Sequence, residues 1–261
     1  MDTPVDQAGF VTSESVALVT GGSRGIGLAV ARGLGAKGAS VVLLGRDAAR
    51  AAEVAEQLQG EGIDAVGEGA ELADPDSVSA ARERLGPLGE PDILVLSAGV
   101  MAEKMTRTLR TTPEEWRRVL GANLDGAFYS IEAFGQGMAR KRSGRIIALS
   151  ACLGRFSGPG TAGGLAPYRI SKAALNAMVR NLAAEMQWGK RGVLVDAVCP
   201  GHCRTDMGGP DAPAAPRKAP KPLCGSPIGP AQTRPGIRCQ PGCCGRTGKS
   251  SPGNRRARLS G

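Results

Sequence analysis

The chain has 261 residues, of which 41% are hydrophobic, and this is typical of one α/β domain with a sizeable core. No apolar run is long enough to span a bilayer, and the first residues lack the basic and apolar regions of a secretory signal. Seven cysteines without regular spacing argue against a secreted disulfide framework. We therefore expect a cytoplasmic protein with no membrane partner.

The net charge of +9 comes entirely from the end of the chain. Residues 1–207 carry 23 basic and 23 acidic side chains, whereas residues 208–261 carry 10 basic and one acidic. The basic segment contains no aromatic residue on which a base could stack, so we expect no nucleic-acid partner. Nucleic-acid binding through this segment is kept as a remote alternative.

Short aliphatic and β-branched runs alternate with helical stretches along most of the chain, as in a parallel sheet with crossover helices. Strands are predicted at residues 16–19, 41–44, 63–66, 93–96, 146–150 and 193–198. Helices are predicted near residues 25–36, 47–60, 75–85, 113–140 and 170–188. This order predicts a doubly wound α/β domain, whose ligand binds at the carboxyl ends of the strands.

The stretch TGGSRGIG, residues 20–27, lies at the carboxyl end of the first predicted strand. Its glycines allow a tight turn and a close backbone approach, and the helix that follows offers N–H groups to a pyrophosphate. We expect a dinucleotide site, although such a turn also occurs as a plain strand-to-helix connection. The residues expected to contact the cofactor here are Gly21, Ser23, Arg24, Gly25, Ile26 and Gly27.

The end of the second predicted strand, VVLLGRD, indicates which dinucleotide binds. A NAD-selective site usually has an acidic residue here for the ribose 2′-hydroxyl, but this chain has Gly45 followed by Arg46. A guanidinium group binds phosphate through paired hydrogen bonds, so Arg46, with Arg24 as a second cation, predicts NADP. The alternative is a solvated arginine at the end of a strand.

Four motifs occur in the order TGGSRGIG, Asn123, YRISK and PGHCRTDM. With them the chain resembles the short-chain dehydrogenase/reductase family over about residues 14–209, and most of all its carbonyl-reductase-like branch. The resemblance implies a Rossmann-type fold and hydride transfer between NADP and a small carbonyl or alcohol substrate. It also implies a homodimer or a homotetramer.

Tyr168 and Lys172 stand one helical turn apart in APYRISKAAL. A free phenol with a pKa near 10 is mostly too weak an acid for catalysis, and a neighbouring ammonium group lowers that pKa. We predict Tyr168 as the general acid in reduction and the base in oxidation, with a surface Tyr–Lys pair as the alternative. The resemblance implies that Lys172 also binds the nicotinamide ribose and that Asn123 helps to hold a proton-relay water. The alternative for Asn123 is packing inside a helix.

The end of the fifth predicted strand departs from the family pattern, in which a serine orients the substrate. In SACLG, Ala151 occupies the usual serine position and Ser150 precedes it. Side chains alternate faces along a strand, so Ser150 should point away from the site unless the strand end bulges. Ser150 is therefore only a tentative catalytic candidate.

The family pattern places further cofactor contacts along the chain. Glu71 replaces the usual aspartate near the adenine ring, and LSAG replaces the usual Asn-Asn-Ala-Gly after the fourth strand. The loop between Ala151 and Tyr168 contains Phe156 and should border the substrate pocket. No metal site is expected, because CQPGCC lacks the paired spacing of zinc ligands. The additional cofactor contacts implied by the resemblance are Glu71, Leu72, Ser97, Ala98, Gly99, Pro200, Gly201 and Thr205.

We divide the chain into an N-terminal lead (residues 1–13), a catalytic domain (14–209) and a tail (210–261). The tail is too rich in proline to supply the helix and last strand that the family has here, so we expect it to be disordered and the last strand to be missing. GC-rich codons for residues 216–230, read in another register, give AESAETPVWLADRP, so a frame-shifted tail is a hypothesis that resequencing the gene tests. A catalytically impaired dinucleotide-binding protein of the same fold is the first functional alternative, because of Ala151 and this tail.

Overall fold

The computed structural model describes residues 11–102, 107–157, 163–209, 212 and 238–239. Its strands are β1 (Val16–Thr20), β2 (Ser40–Gly45), β3 (Ala65–Gly69), β4 (Ile93–Leu96), β5 (Gly144–Leu149), β6 (Val193–Cys199) and β7 (Arg238–Cys239). Every neighbouring pair is parallel, in the order β3-β2-β1-β4-β5-β6-β7. The order reverses between β1 and β4, which is where a doubly wound sheet opens a ligand crevice at its carboxyl edge.

Among the described residues, six α-helices cover the two faces of this sheet. They are α1 (Gly25–Gly35), α2 (Ala48–Gly60), α3 (Pro75–Leu85), α4 (Pro113–Leu120), α5 (Gly126–Lys141) and α6 (Ala166–Glu185). On one face Phe134 of α5 and Leu175 of α6 pack in the core, and on the other Leu34 of α1 and Leu58 of α2 do so. The central strands are buried on both faces, as their continuous apolar runs require. The predicted Rossmann-type α/β fold is confirmed.

Most elements lie within two residues of their predicted bounds, and three differ more or in kind. The third strand begins at Ala65 because Ile63 packs against α1 at Gly35 before the strand starts. The predicted helix over 113–140 is two helices, separated by a π-helical stretch at Gly121–Asp125. Helix α6 begins four residues earlier than predicted, since Pro167 lies in its first turn, where a missing N–H costs nothing.

The expectation that the last strand is missing needs correction. A two-residue strand, β7, pairs with Val198 and Cys199 of β6. Most of the tail lies outside the described residues, as do most of the N-terminal lead and the segment read for a frame shift. None of the helices in the described ranges is long and apolar enough to cross a membrane.

Candidate active site

The glycine-rich turn after β1 packs directly against the end of β4. Gly21 has φ +64°, and a Cβ there would lie 2.9 Å from Cα of Ala98. A Cβ on Gly27 would collide with the carbonyl oxygen of Gly21. Gly25 has φ +55°, also in the left-handed region that favours glycine. Side chains at Gly21 and Gly27 would collide with backbone atoms, so these glycines permit the tight turn that a pyrophosphate-binding cradle needs.

The first turn of α1 has backbone N–H groups that no side chain caps. Its N-cap residue, Arg24, makes no capping hydrogen bond, and its first turn contains no acidic residue. By contrast Asp47, Asp74 and Thr112 cap helices α2, α3 and α4 with their side-chain oxygens. The four N–H groups at a helix start need acceptors, and a phosphate placed here would supply them.

The hydroxyl group of Thr20 joins the glycine turn to the end of β4. It accepts hydrogen bonds from the backbone N–H groups of Ser97 (3.1 Å) and Ala98 (3.2 Å). Ser97 and Ala98, two of the residues predicted to contact the cofactor, are half-buried at the carboxyl edge next to the turn. Sequence reasoning missed Thr20, although a threonine directly before the first glycine was a usable signal.

The residues predicted to select NADP lie around the end of β2. Arg46 is exposed just beyond the strand, and no carboxylate in the described part of the chain forms a salt bridge with it. Ser23 lies close to Gly45, since a Cβ on that glycine would be 3.5 Å from the serine Oγ. Arg24 instead forms an exposed salt bridge with Asp206 at 3.4 Å. Its guanidinium group therefore contacts the loop after β6, in which Asp206 lies.

The loop after β6 folds over the glycine turn. Pro200 and Gly201 begin it, and a Cβ on Gly25 would lie 3.4 Å from Cγ2 of Thr205. The Thr205 hydroxyl accepts from the N–H of Gly208 at 3.1 Å, which closes the loop on itself. The structure therefore brings the predicted second cofactor motif to the first one.

Two predicted adenine-side residues have different environments. Glu71 is exposed, and its carboxylate accepts from the N–H of Ala73 at 3.2 Å, in a turn at the start of α3. Leu72 is buried in the core beneath the sheet, so only its backbone is left to face a cofactor. Ile26, within α1, is half-buried.

Asn123 and Lys172 converge on Gly99, at the end of β4. A Cβ on Gly99 would lie 3.0 Å from Oδ1 of Asn123 and 3.6 Å from Nζ of Lys172. Asn123 is buried in the π-helical stretch, where its Oδ1 accepts from the N–H of Val100 (2.7 Å) and its Nδ2 donates to the Val100 carbonyl (3.0 Å). Nδ2 also lies 3.0 Å from Oγ of Ser171, which accepts from it. Two of the predicted catalytic residues thus meet.

Tyr168 lies in the first turn of α6, beside Lys172. Nζ of Lys172 is 5.9 Å from the centre of the tyrosine ring and donates to the carbonyl of Leu149 at 2.8 Å. Both side chains are buried. The two predicted residues are therefore a buried pair rather than a surface pair.

The pKa values of this pair differ from the expectation that the ammonium group lowers the pKa of the phenol. Burial raises the pKa of Tyr168 to about 12, with smaller contributions from the thiols of Cys199 and Cys152. Burial also lowers the pKa of Lys172 to about 8. The reason is that loss of hydration disfavours both charged forms, and the ammonium group is directed at Leu149 rather than at the phenolic oxygen.

The structure does not bring Ser150 to the tyrosine. Its N–H donates to Val198 at 2.8 Å, so the β5–β6 ladder continues regularly and the strand end does not bulge. Its hydroxyl donates to Oδ1 of Asn176 at 2.6 Å. Asn176 is eight residues beyond Tyr168, about 12 Å along the helix axis. Ser150 is therefore better described as an anchor between β5 and α6, and Ala151 leaves the usual serine position without a hydroxyl.

The loop after β5 is described only as far as residue 157 and again from residue 163. Within it Phe156 is 94% exposed, so it packs against no pocket wall among the described residues. Gly154 lies against α6, where a Cβ would be 2.8 Å from the Lys172 Cβ. Across the described ranges, no group of three or more potential metal ligands occurs.

Comparison with known proteins agrees with this geometry. The model of the short chain dehydrogenase family matches residues 15–215. The chain belongs to the short-chain dehydrogenase/reductase family.

This short-chain dehydrogenase is similar to several enzymes over most of its length. It is 36% identical to the 3-oxoacyl-[acyl-carrier-protein] reductase of Pseudomonas aeruginosa over 193 residues, which covers 74% of this chain and 75% of that one. It is 35% identical to a galactitol 2-dehydrogenase (L-tagatose-forming) of Cereibacter sphaeroides, with 76% and 75% covered. The structure of a gluconate 5-dehydrogenase from Burkholderia cenocepacia, in complex with NADP and tartrate, superposes with a TM-score of 0.70 at 29% identity, covering 77% and 76%.

The packing of the glycine turn predicts that alanine at Gly27 and alanine at Gly33, both in helix α1, have different effects on cofactor binding and melting temperature. Gly27→Ala should abolish nicotinamide-cofactor binding and lower the melting temperature, because its Cβ collides with the backbone of Gly21. Gly33→Ala is the matched control, since a Cβ there meets nothing within 4 Å, and alanine in a helix should raise stability by about 0.5–1 kcal/mol. Thermal melting with and without NADPH measures both effects. Equal cofactor-induced stabilisation in the two variants would contradict the cradle.

Proposed function

We propose that this protein is an NADP-dependent reductase that transfers a hydride to a small ketone or aldehyde, and in reverse from the alcohol. The observation that carries the proposal is the convergence of Asn123 and Lys172 on Gly99, next to the buried phenol of Tyr168. This cluster lies at the same edge of the sheet as the uncapped glycine turn. A hydride donor and a proton donor can therefore reach one carbonyl group.

Tyr168 is the proposed proton donor. When bound, NADPH supplies the hydride that reaches the carbonyl carbon. The π electrons of the C=O bond move to its oxygen, and the phenolic O–H of Tyr168 gives its proton to that oxygen. Lys172, held by the Leu149 carbonyl, places its positive charge 5.9 Å from the centre of the ring that carries the phenolate. Asn123 fixes the backbone of Val100, which forms the wall of the site beside Gly99.

The protonation state of Tyr168 favours the reductive direction. Because its pKa is about 12, the phenol keeps its proton at neutral pH and is ready to donate it. An alcohol is a weaker acid than a phenol, so the transfer of the proton to a developing alkoxide is downhill. Oxidation requires the phenolate, so it should accelerate as pH rises.

NADP is proposed over NAD from the end of β2. Arg46 is exposed there without a carboxylate partner in the described residues, and Gly45 replaces the acidic residue that binds a ribose 2′-hydroxyl. A related gluconate 5-dehydrogenase was solved with NADP, which supports the same preference. The carbonyl substrate itself is best found by a panel of ketones and aldehydes with NADPH, and the proposal fails if NADPH binds but no member is reduced.

A second candidate is a dinucleotide-binding protein of the same fold with little turnover. One observation favours it: Ala151 carries no hydroxyl, and that of Ser150 is bound to Asn176. NADPH binding without turnover on the whole panel would select this candidate.

Replacing the proton donor tests the catalytic assignment. Tyr168→Phe should reduce kcat by at least about 1,000-fold while leaving NADPH affinity nearly unchanged, because only the proton is lost. Tyr129→Phe is the matched control, because Tyr129 is the other of the two tyrosines in the chain and lies on α5. Steady-state kinetics and NADPH fluorescence measure both quantities. Substantial turnover in the Tyr168 variant would refute the assignment.

Cofactor preference tests the role of Arg46. The unmodified protein should bind NADPH more tightly than NADH, and Arg46→Asp should narrow or reverse that ratio by about 10-fold or more, since a carboxylate then faces the 2′-phosphate. Arg50→Asp changes the same charge on the neighbouring helix, where Arg50 pairs with Glu53, and should leave the ratio close to that of the parent. Equal affinities for the two cofactors in the unmodified protein would end this proposal.

Restoring the missing hydroxyl distinguishes the two candidate functions. Ala151→Ser should raise kcat by about 10- to 1,000-fold if a hydroxyl at this position stabilises the developing charge. Ser150→Ala should change kcat little, because the hydroxyl group of Ser150 donates to Asn176 and not to the substrate site. The opposite pattern, with activity lost only in the Ser150 variant, would show that Ser150 acts on the substrate.

A further inference from the structure

Helix α6 carries the proposed proton donor in a turn that lacks the usual cap. Its N-cap position is Leu165, which has φ +55° and offers no side-chain hydrogen bond to the first turn. The first turn of a helix frays unless something secures it, and Tyr168 lies within it. Its geometry must therefore be secured from elsewhere.

Ser171 supplies that restraint through two hydrogen bonds. Its hydroxyl donates to the backbone carbonyl of Tyr168 at 2.8 Å and accepts from Nδ2 of Asn123 at 3.0 Å. The side chain is fully buried, with 0% exposure. The side chain of Asn123 in turn forms hydrogen bonds with both the backbone N–H and the carbonyl of Val100. A continuous chain of hydrogen bonds thus runs from the end of β4 to the residue that carries the phenol.

We propose that Ser171 is a positioning residue that couples Asn123 to Tyr168 and holds the phenol in its buried, reactive orientation. The catalytic part of this inference rests on the proposed function, whereas the positioning part concerns the folded chain alone. Ser171 touches no reacting atom and acts only through its two neighbours. The cluster works as one unit because each member of the chain fixes the next.

Within the described residues, the charged and titratable groups near the phenol are Lys172 from α6, Cys152 from the loop after β5 and Cys199 from β6. None of them is altered by a change at Ser171. Burial is the main reason that the pKa of Tyr168 is raised to about 12, so a looser first turn should let that pKa fall toward its ordinary value near 10. The titration of the phenol therefore reports the restraint directly.

The two tyrosines of the chain make this titration measurable without any substrate. In the Tyr129→Phe background, tyrosine labelled with ¹³C at Cζ gives a single NMR signal, from Tyr168. Ser171→Ala should make this signal titrate at a lower pH, by about one unit or more, than in the parent. Ser130→Ala is the matched control, because Ser130 is equally buried and its hydroxyl donates to a helical carbonyl, that of Gly126, at 2.6 Å.

Kinetics on the carbonyl substrate provide the second measurement. Ser171→Ala should lower kcat by about 10- to 100-fold with little change in the KM for NADPH, whereas Ser130→Ala should not. Combined with Asn123→Ala, it should cause no further loss, because both changes break the same chain. Ser171→Cys keeps a weak donor of similar size and should recover part of the activity, and it replaces the alanine variant if that one does not fold.

The outcomes separate this inference from the proposed function. Coincident titration curves for the Ser171 and Ser130 variants overturn the positioning role, as does a fully additive loss in the double variant. A lower pKa in the Ser171 variant alone supports it, whether or not a substrate has been found. An unmodified protein that reduces no carbonyl refutes the proposed function, and the NMR comparison still decides the role of Ser171.

Discussion

The hydrogen bond from the buried ammonium group of Lys172 to the carbonyl of Leu149 is the interaction on which the rest of the site depends. An unpaired buried cation is costly, so α6 must lie where the last carbonyl of β5 can accept from it. Two glycines leave the space for this docking: Gly99 faces the ammonium group, and Gly154 lies against the Lys172 side chain. Once α6 is docked, Tyr168 is buried beside the lysine.

That same docking explains why burial, rather than the lysine, sets the acidity of the phenol. Burial disfavours the charged form of each group, so the pKa of Tyr168 rises to about 12 and that of Lys172 falls to about 8. Such a pair holds a proton well at neutral pH, which suits reduction of a carbonyl. The orientation of the Tyr168 hydroxyl group is also important, because a weak acid must be aligned with the oxygen that it protonates.

The cofactor half and the catalytic half of the site are joined at the ends of two neighbouring strands. Thr20, at the end of β1, binds the backbone after β4, and Asn123 binds Val100 a few residues later. The order of the sheet reverses at this point, so the crevice opens where both halves meet. Departures from the family pattern, such as Ala151, alter single groups around this junction and leave its backbone intact.

The sequence by itself determined the α/β alternation, the position of the glycine turn and the identity of the Tyr168–Lys172 pair, because these are local patterns of side-chain period and spacing. The alternation of side chains along a strand also predicted that Ser150 points away from the site, and in the structure its hydroxyl group donates to Asn176. Only the tertiary structure decided that burial raises the pKa of Tyr168, that a π-helical stretch presents Asn123, and that Ser171 links the two. These features depend on desolvation and on contacts between residues 48 positions apart, such as Asn123 and Ser171, which no local pattern encodes.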